Sequence, residues 1–328
     1  MEQFSLNNTQ VSRIGLGTWA IGGSEWGEVP EKDAIATCLS ALEYGINLID
    51  TAPIYGRGRA EEIIGKAIRQ RGQRDGIYIA TKAGLEWNEH GVYTNSTPTR
   101  LRQELEGSLR RLSTDYIDLY QIHWPDPIVP IEEAAAVMRE FYEQGRIRAI
   151  GVSNFSAAQM RTFSEVAPLH SNQPPYNIFE REIENTIVRW CREHTVALIV
   201  YSPLCRSLLA GRLTTSTEFP AGDIRCVDPK FQPPRFSQYL KAVARLDEFA
   251  QKNYGKHVLH LAMRWVLDRP GISAALWGAK RPGQLHALNE VLGWKLDEAA
   301  MQAIDQIVQE SITDPVGPEY LMPRVREA

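Results

Sequence analysis

A closed (β/α)8 barrel is the fold class this chain predicts, and three observations predict it. Short apolar runs alternate with amphipathic helical segments, the order expected of a parallel sheet wound with helices. Eight such runs are present, near residues 14–19, 46–50, 77–82, 116–122, 148–152, 170–173, 197–201 and 272–277. The first leads into Gly22-Gly23-Ser24-Glu25-Trp26-Gly27 and not into a GxGxxG turn opening a helix, which argues against a doubly wound dinucleotide-binding sheet. At 328 residues, a single barrel domain spanning 1–328 accounts for the chain.

The elements follow in order. Phe4 to Ser12 reads as a short hairpin, because Asn7-Asn8 tolerates the positive φ of a tight turn; it is expected to cover the bottom of the barrel. Helices are expected near 31–44, 59–70, 98–112, 131–144, 156–166 and 180–194, where apolar residues recur at helical spacing, as in the stripe Leu101, Leu105, Leu109 and Leu112. Ser96-Thr97-Pro98 and Pro130-Ile131-Glu132-Glu133 put proline and acid where a first helical turn wants them. Two segments depart from the repeat. A Pro- and Gly-containing connection of about 203–235 follows the seventh strand on the face where barrel active sites lie, and reads as a lid over a ligand. A Pro-rich extension follows about residue 311.

Composition narrows the function classes. Hydrophobic residues at 43% and charged residues at 23% are those of a globular protein. A net charge of −4 gives no electrostatic reason to expect nucleic acid or an anionic membrane as partner. Cys38, Cys191, Cys205 and Cys226 lack CxxC spacing, so no metal site or disulfide scaffold is implied, and a reducing cytoplasm fits. The first residues carry no basic-then-apolar leader, and no apolar stretch is long enough to span a bilayer.

Four polar residues stand at or just past the ends of separate strands: Asp50 and Tyr55 after the second, Lys82 at the end of the third, His123 after the fourth. In a parallel barrel these ends converge on one face. A free phenol, with a pKa of about 10, is a poor proton donor at neutral pH; a neighbouring ammonium favours the phenolate and lowers that value. Lys82, oriented by Asp50, is the expected neighbour of Tyr55, with His123 facing a substrate oxygen. Each residue alone has an ordinary structural role open to it; together on one face they read as an acid–base site.

The ordered segments Gly45-Ile46-Asn47-Leu48-Ile49-Asp50-Thr51-Ala52-Pro53-Ile54-Tyr55-Gly56, Ala80-Thr81-Lys82, Gln121-Ile122-His123-Trp124, Gly151-Val152-Ser153-Asn154-Phe155, Gln173-Pro174-Pro175-Tyr176-Asn177 and Tyr201-Ser202-Pro203-Leu204 resemble the aldo-keto reductases along essentially the whole chain. The opening Gly15-Leu16-Gly17-Thr18-Trp19 is similar to their bacterial broad-specificity aldehyde reductase branch. The resemblance implies NADPH-dependent reduction of aldehydes, with hydroxyaldehydes, sugars and some ketones also in range. In it, Tyr55 is the proton donor and Asp50, Lys82 and His123 share the catalytic site. It further implies that Ser153, Asn154 and Gln173 hold the nicotinamide carboxamide and that Tyr201 stacks on the ring. Ser202, Leu204 and Gly211 hold the pyrophosphate on this reading. Lys280, Arg281 and Gln284, at the entrance of a helix after the last strand, meet the adenosine 2′-phosphate, so NADP is preferred and NAD is a second possibility. Trp19, Trp26, Trp87 and Trp124, in loops on the catalytic face, are expected to wall a mostly apolar substrate pocket. The partner is then a small carbonyl compound, with monomer or homo-oligomer left open. The branch also resembles the voltage-gated potassium channel β-subunits, so an NADPH-sensing regulatory subunit is an alternative, as is a polyol dehydrogenase running the same site in reverse.

Overall fold

The computed structural model describes residues 1–326. Its centre is a closed barrel of eight parallel strands, Ile14–Gly17, Leu48–Asp50, Tyr78–Ala83, Leu119–Ile122, Ile150–Ser153, Ser171–Gln173, Ala197–Val200 and Ile272–Gly278. They pair in chain order, and the last closes on the first through Ala275 opposite Ile14 and Gly278 opposite Gly17. Register sets the heights at the upper rim: Gly17 lies beside Asp50, Lys82 beside Gln121, and Ser153 beside Gln173. Four strand-end positions of the predicted site, Asp50, Lys82, Ser153 and Gln173, are thus placed by backbone pairing alone.

The N-terminal hairpin, Gln3–Leu6 with Thr9–Ser12, plugs the lower end as expected. Its Leu6 and Val11 are buried in one cluster with Leu48, Tyr78, Leu119, Ile199 and Leu276 from the barrel interior. The helical layer outside the strands buries a second, larger cluster. Thr97 caps the helix Pro98–Leu112 by accepting from the Arg100 N–H, with Pro98 in its first turn, as the sequence predicts.

Several elements differ from the sequence expectation. The segment near 180–194 is split into a 3-10 turn at Glu182–Glu184 and a short helix at Ile187–Glu193. The seventh strand is followed, after the long connection, by two helices, Arg235–Tyr254 and Val258–Asp268. The segment entered through Lys280 and Arg281 is a 3-10 run, Pro282–Glu290, before the helix Glu298–Ser311. An antiparallel pair, Leu85–Asn88 with Gly91–Thr94, rises from the end of the third strand.

The long connection and the extension after 311 are tied together by buried charge. Arg206 bonds Glu180 and Asp228, and Lys230 bonds Glu180 at 2.8 Å, with all four side chains excluded from solvent. The Tyr320 hydroxyl donates to Asp228 at 2.9 Å, and Lys230 donates to the Gly317 carbonyl at 2.9 Å. Buried ions are tolerated only when paired and hydrogen-bonded in this way. From there the extension crosses the barrel mouth. Arg324–Val325 pairs with Tyr93–Thr94, and Arg326 donates to Asp126 at 2.6 Å. The C-terminal segment is therefore a strap over the upper face.

Candidate active site

The upper face holds a cleft of about 350 Å³ running between the barrel mouth, the long connection and the strap. Its floor is built from strand ends. Lys82 is fully buried and donates to Asp50 Oδ1 at 2.7 Å, to the Thr51 carbonyl at 2.9 Å and to the Tyr55 hydroxyl at 3.2 Å. An ammonium has three donors, and all three are used. The second carboxylate oxygen of Asp50 accepts from Gln173 Nε2 at 2.7 Å. The ring of His123 meets that of Tyr55 edge-on, centroids 5.9 Å apart. The four polar residues expected at separate strand ends therefore converge.

Local backbone geometry fixes Tyr55. Gly56 has φ 64°, and a Cβ there would lie 2.2 Å from the Gly22 carbonyl oxygen. Glycine at Gly56 lets the loop carrying Tyr55 abut the loop after the first strand, where a side chain would push them apart. Thr18 ties the same loops together, donating its hydroxyl to the Asp50 carbonyl at 2.8 Å. Arg59 turns inward and bonds the carbonyls of Ile21, Gly22 and Val29.

The cofactor candidates divide. Ser153, Asn154, Gln173, Tyr201, Ser202, Leu204, Lys280 and Gln284 line the cleft. The Tyr201 hydroxyl donates to Asn154 Oδ1 at 3.0 Å; Asn154 Nδ2 donates to the His123 carbonyl and to Ser153 Oγ, each at 3.0 Å. Gly211 and Arg281 do not line it. Gly211 is exposed and ends the 3-10 turn Leu208–Ala210 with φ 70°, so its conformation serves that turn. Arg281 points to solvent at the start of Pro282–Glu290, while Gln284 Oε1 accepts from the backbone N–H groups of Lys280 and Arg281.

Of the tryptophans, Trp19, Trp26 and Trp124 line the cleft and Trp87 does not. Trp19 lies over Tyr55, ring centroids 6.2 Å apart and nearly parallel, and Trp26 meets Trp19 edge-on at 5.4 Å. Trp87 sits on the Leu85–Asn88 strand, which leaves the barrel axis, and Arg100 lies over its ring at 5.7 Å in a separate groove beside the helix Pro98–Leu112. Wall residues without a sequence signal are Glu25, Ile54, Leu85, Val92 and Arg206, joined by Tyr320, Leu321 and Pro323 of the strap.

A family profile described as "Aldo/keto reductase family" matches residues 13–309. The chain belongs to the aldo/keto reductase family. It is 54% identical to "Aldo-keto reductase YhdN" of Bacillus subtilis (strain 168), over 100% of this chain and 99% of that protein. It is 35% identical to the "NADH-specific methylglyoxal reductase" of Escherichia coli (strain K12), over 91% of this chain and 96% of the relative. Among solved structures it resembles the glycerol dehydrogenase AKR11B4 from Gluconobacter oxydans, with TM-score 0.88 and 44% identity over 96% of this chain and 98% of that one.

The electrostatics of this aldo/keto reductase correct one expectation. Lys82 does not leave Tyr55 with a lowered pKa. Enclosure by protein pushes the phenol well above its usual value, and Asp50, Tyr201 and Glu25 add to the effect. Asp50 is the closer partner of Lys82, so its negative charge offsets the ammonium as felt at the hydroxyl. Burial lowers the pKa of Lys82 itself, against the pull of Asp50. Enclosure and the Lys82 charge hold His123 well below the usual imidazole range. At neutral pH the pair facing the cleft is a neutral phenol, which can donate a proton, and a neutral imidazole.

The cleft also suits a dinucleotide. Cys205, Arg206 and Ser207 have φ of 45°, 52° and 72° in succession. Non-glycine residues held in the left-handed region carry strain that clusters at ligand sites, and such turns expose backbone N–H groups to anions. Among the described residues, the Arg206 and Ser207 N–H groups donate to no backbone acceptor. Lys280, half-buried, donates to the Trp26 carbonyl, and the cations Arg225 and Arg281 add to burial in lowering its pKa. Asp223 opposes that shift and pairs with Arg225 at 2.7 Å, so among the described residues Lys280 is the cleft-lining cation left without an ion-pair partner and open to an anion.

Proposed function

We propose that the protein is an NADPH-dependent reductase of aldehydes, with Tyr55 as the proton donor. The observation that carries this reading is the buried Asp50–Lys82–Tyr55 chain opening onto an apolar cleft, with His123 opposite the phenol. A reduced nicotinamide supplies the hydride that no side chain can supply. Everything else falls to the chain. The substrate oxygen sits between the Tyr55 hydroxyl and His123, and two neutral donors there polarise the carbonyl without desolvating an extra charge. As negative charge develops on that oxygen, Tyr55 gives up its proton and the resulting phenolate gains the Lys82 ammonium at close range. Asp50 keeps Lys82 charged and aimed. Asn154 holds Tyr201 and the backbone of His123, so it shapes the cofactor end and the imidazole together.

Support for a phosphorylated cofactor comes from Lys280, with Arg225 and Arg281 beside it. The likeness to a glycerol dehydrogenase supports a site able to run in the direction of alcohol oxidation as well, since the same acid then acts as base. The test is initial rates with NADPH and with NADH against short aldehydes and hydroxyaldehydes. Turnover with kcat/KM at least tenfold higher with NADPH is the expected result. The absence of nicotinamide oxidation with every carbonyl would overturn the reading.

A further inference from the structure

Charge on the cleft wall is almost everywhere neutralised from within the protein. Asp50 is paired with Lys82, and Arg206 with Glu180 and Asp228. Among the described residues, Lys280 toward the cofactor end and Glu25 have no ion-pair partner, and Glu25 is the carboxylate so left. Its carboxylate lines the cleft, half-buried, and accepts from Trp19 Nε1 at 3.1 Å and Ser24 Oγ at 2.7 Å, both on Oε2. Among the described residues Glu25 Oε1 accepts no hydrogen bond from a side chain, and no lysine or arginine forms an ion pair with the group.

Its position is at the reacting end. Trp19, which holds Glu25, lies over the Tyr55 ring. The next residue, Trp26, turns its backbone the other way, to Lys280, and lies under Arg225 at 5.6 Å. The Glu25 carbonyl is pinned by the Ile224 N–H at 3.2 Å, so the loop is fixed at this point and the side chain cannot swing away with it. Lys280 thus meets the backbone of this short segment, while the Glu25 carboxylate is held by Trp19, the ring that lies over the phenol.

Resting on the reading above, we infer that Glu25 is a specificity residue: it excludes carbonyl compounds bearing a carboxylate and favours short uncharged hydroxyaldehydes, whose hydroxyl donates to its free oxygen. A like charge brought into a partly dehydrated cleft is repelled, whereas a hydroxyl gains a charge-assisted bond. The remaining substrate wall (Ile54, Leu85, Val92, Trp124, Leu321) is apolar and cannot make this distinction.

Glycolaldehyde and glyoxylate, nearly equal in size, are the probes, and the quantity read is the ratio of their kcat/KM values with NADPH. Glu25→Gln and Glu25→Met are each expected to raise glyoxylate relative to glycolaldehyde by about tenfold. Trp19→Phe removes the indole donor and keeps the charge, so the ratio should stay near wild type even if both rates fall. A ratio within twofold of wild type in both Glu25 variants overturns the inference. So does an equal rise in Trp19→Phe, which would assign the effect to the pose of the ring, or a change confined to the KM for NADPH. Failure of the wild type to reduce glycolaldehyde or propionaldehyde at all would instead count against the proposed function, which keeps the two failures distinct.

Discussion

Replacing Asp50 with Asn leaves the shape of the floor almost unchanged and removes the carboxylate that pairs directly with Lys82. Lys82 is completely excluded from solvent and keeps only neutral partners, the Thr51 carbonyl at 2.9 Å and the Tyr55 hydroxyl at 3.2 Å. Breaking a buried pair by removing one partner costs about 3–5 kcal/mol. An independent ceiling comes from the proton. If the ammonium becomes too costly, Lys82 folds as the amine, and discarding a proton at pH 7 from a group of pKa about 10.4 costs about 4–5 kcal/mol. The two figures agree, so a loss of about 3–5 kcal/mol is expected from urea denaturation at pH 7. The sign of its pH dependence follows. In the variant the folded pKa of Lys82 lies far below the unfolded one, so the unfolded chain binds the extra proton and stability recovers as pH rises toward about 10. Reduction should fall by about 10²–10³ at pH 7, the usual loss when one charge-stabilising donor is disabled. The new amide also sets a donor against Gln173 Nε2, which accepted geometry resolves if Gln173 turns its amide over. A loss below about 1 kcal/mol, or one that does not shrink between pH 7 and 10, would refute the assignment of Lys82 as a buried ammonium held by Asp50.

Two further outcomes are expected. Arg326→Ala should free the end of the strap from Asp126 and raise hydrogen exchange at Tyr93 and Thr94, while costing about 1 kcal/mol or less, because Asp126 still accepts from the Ser96 and Ile128 N–H groups. KM for short aldehydes should rise with it, since Tyr320, Leu321 and Pro323 wall the cleft; unchanged exchange and KM would show that the strap is held by Asp228 and Lys230 alone. His123, His170 and His260 all have imidazole pKa values lowered mainly by burial. The unfolded chain then takes up protons that the native one refuses, so stability is full above about pH 6.5 and falls below it, by at most about 1.4 kcal/mol per pH unit for one histidine. Urea midpoints at pH 8 and pH 5.5 check this, and His123→Gln should flatten part of the slope.

The barrel was legible because each strand is a local apolar run and parallel pairing in chain order leaves little choice of neighbour. The same logic brought out Asp50, Lys82 and His123, whose side chains stand at strand ends. Legibility fails where placement depends on contacts distant in the chain. Trp87 looked like a pocket wall, but the Leu85–Asn88 strand carries it away to Arg100. Glu25 had no signal of its own; its place follows from Trp19, Ile224 and the closeness of Gly22 to Gly56. The cluster of Glu180, Arg206, Asp228 and Lys230 joins three segments that no short motif connects. The raised pKa of Tyr55 is not legible in sequence for a related reason: the chemistry of a lysine beside a phenol is visible there, while the extent of burial and the shorter bond from Lys82 to Asp50 are not.

The most direct test of the account is Tyr55→Phe, read by two measurements on the same preparation: NADPH binding by quenching of protein fluorescence, and NADPH oxidation with propionaldehyde. The ring and its contact with Trp19 remain, and the hydroxyl that carries the proton and accepts from Lys82 is removed. The dissociation constant should stay within about threefold of wild type and kcat should fall by about 10²–10⁴, the contribution of a positioned general acid. A variant that binds NADPH and reduces the aldehyde at the wild-type rate would contradict Tyr55 as the proton donor.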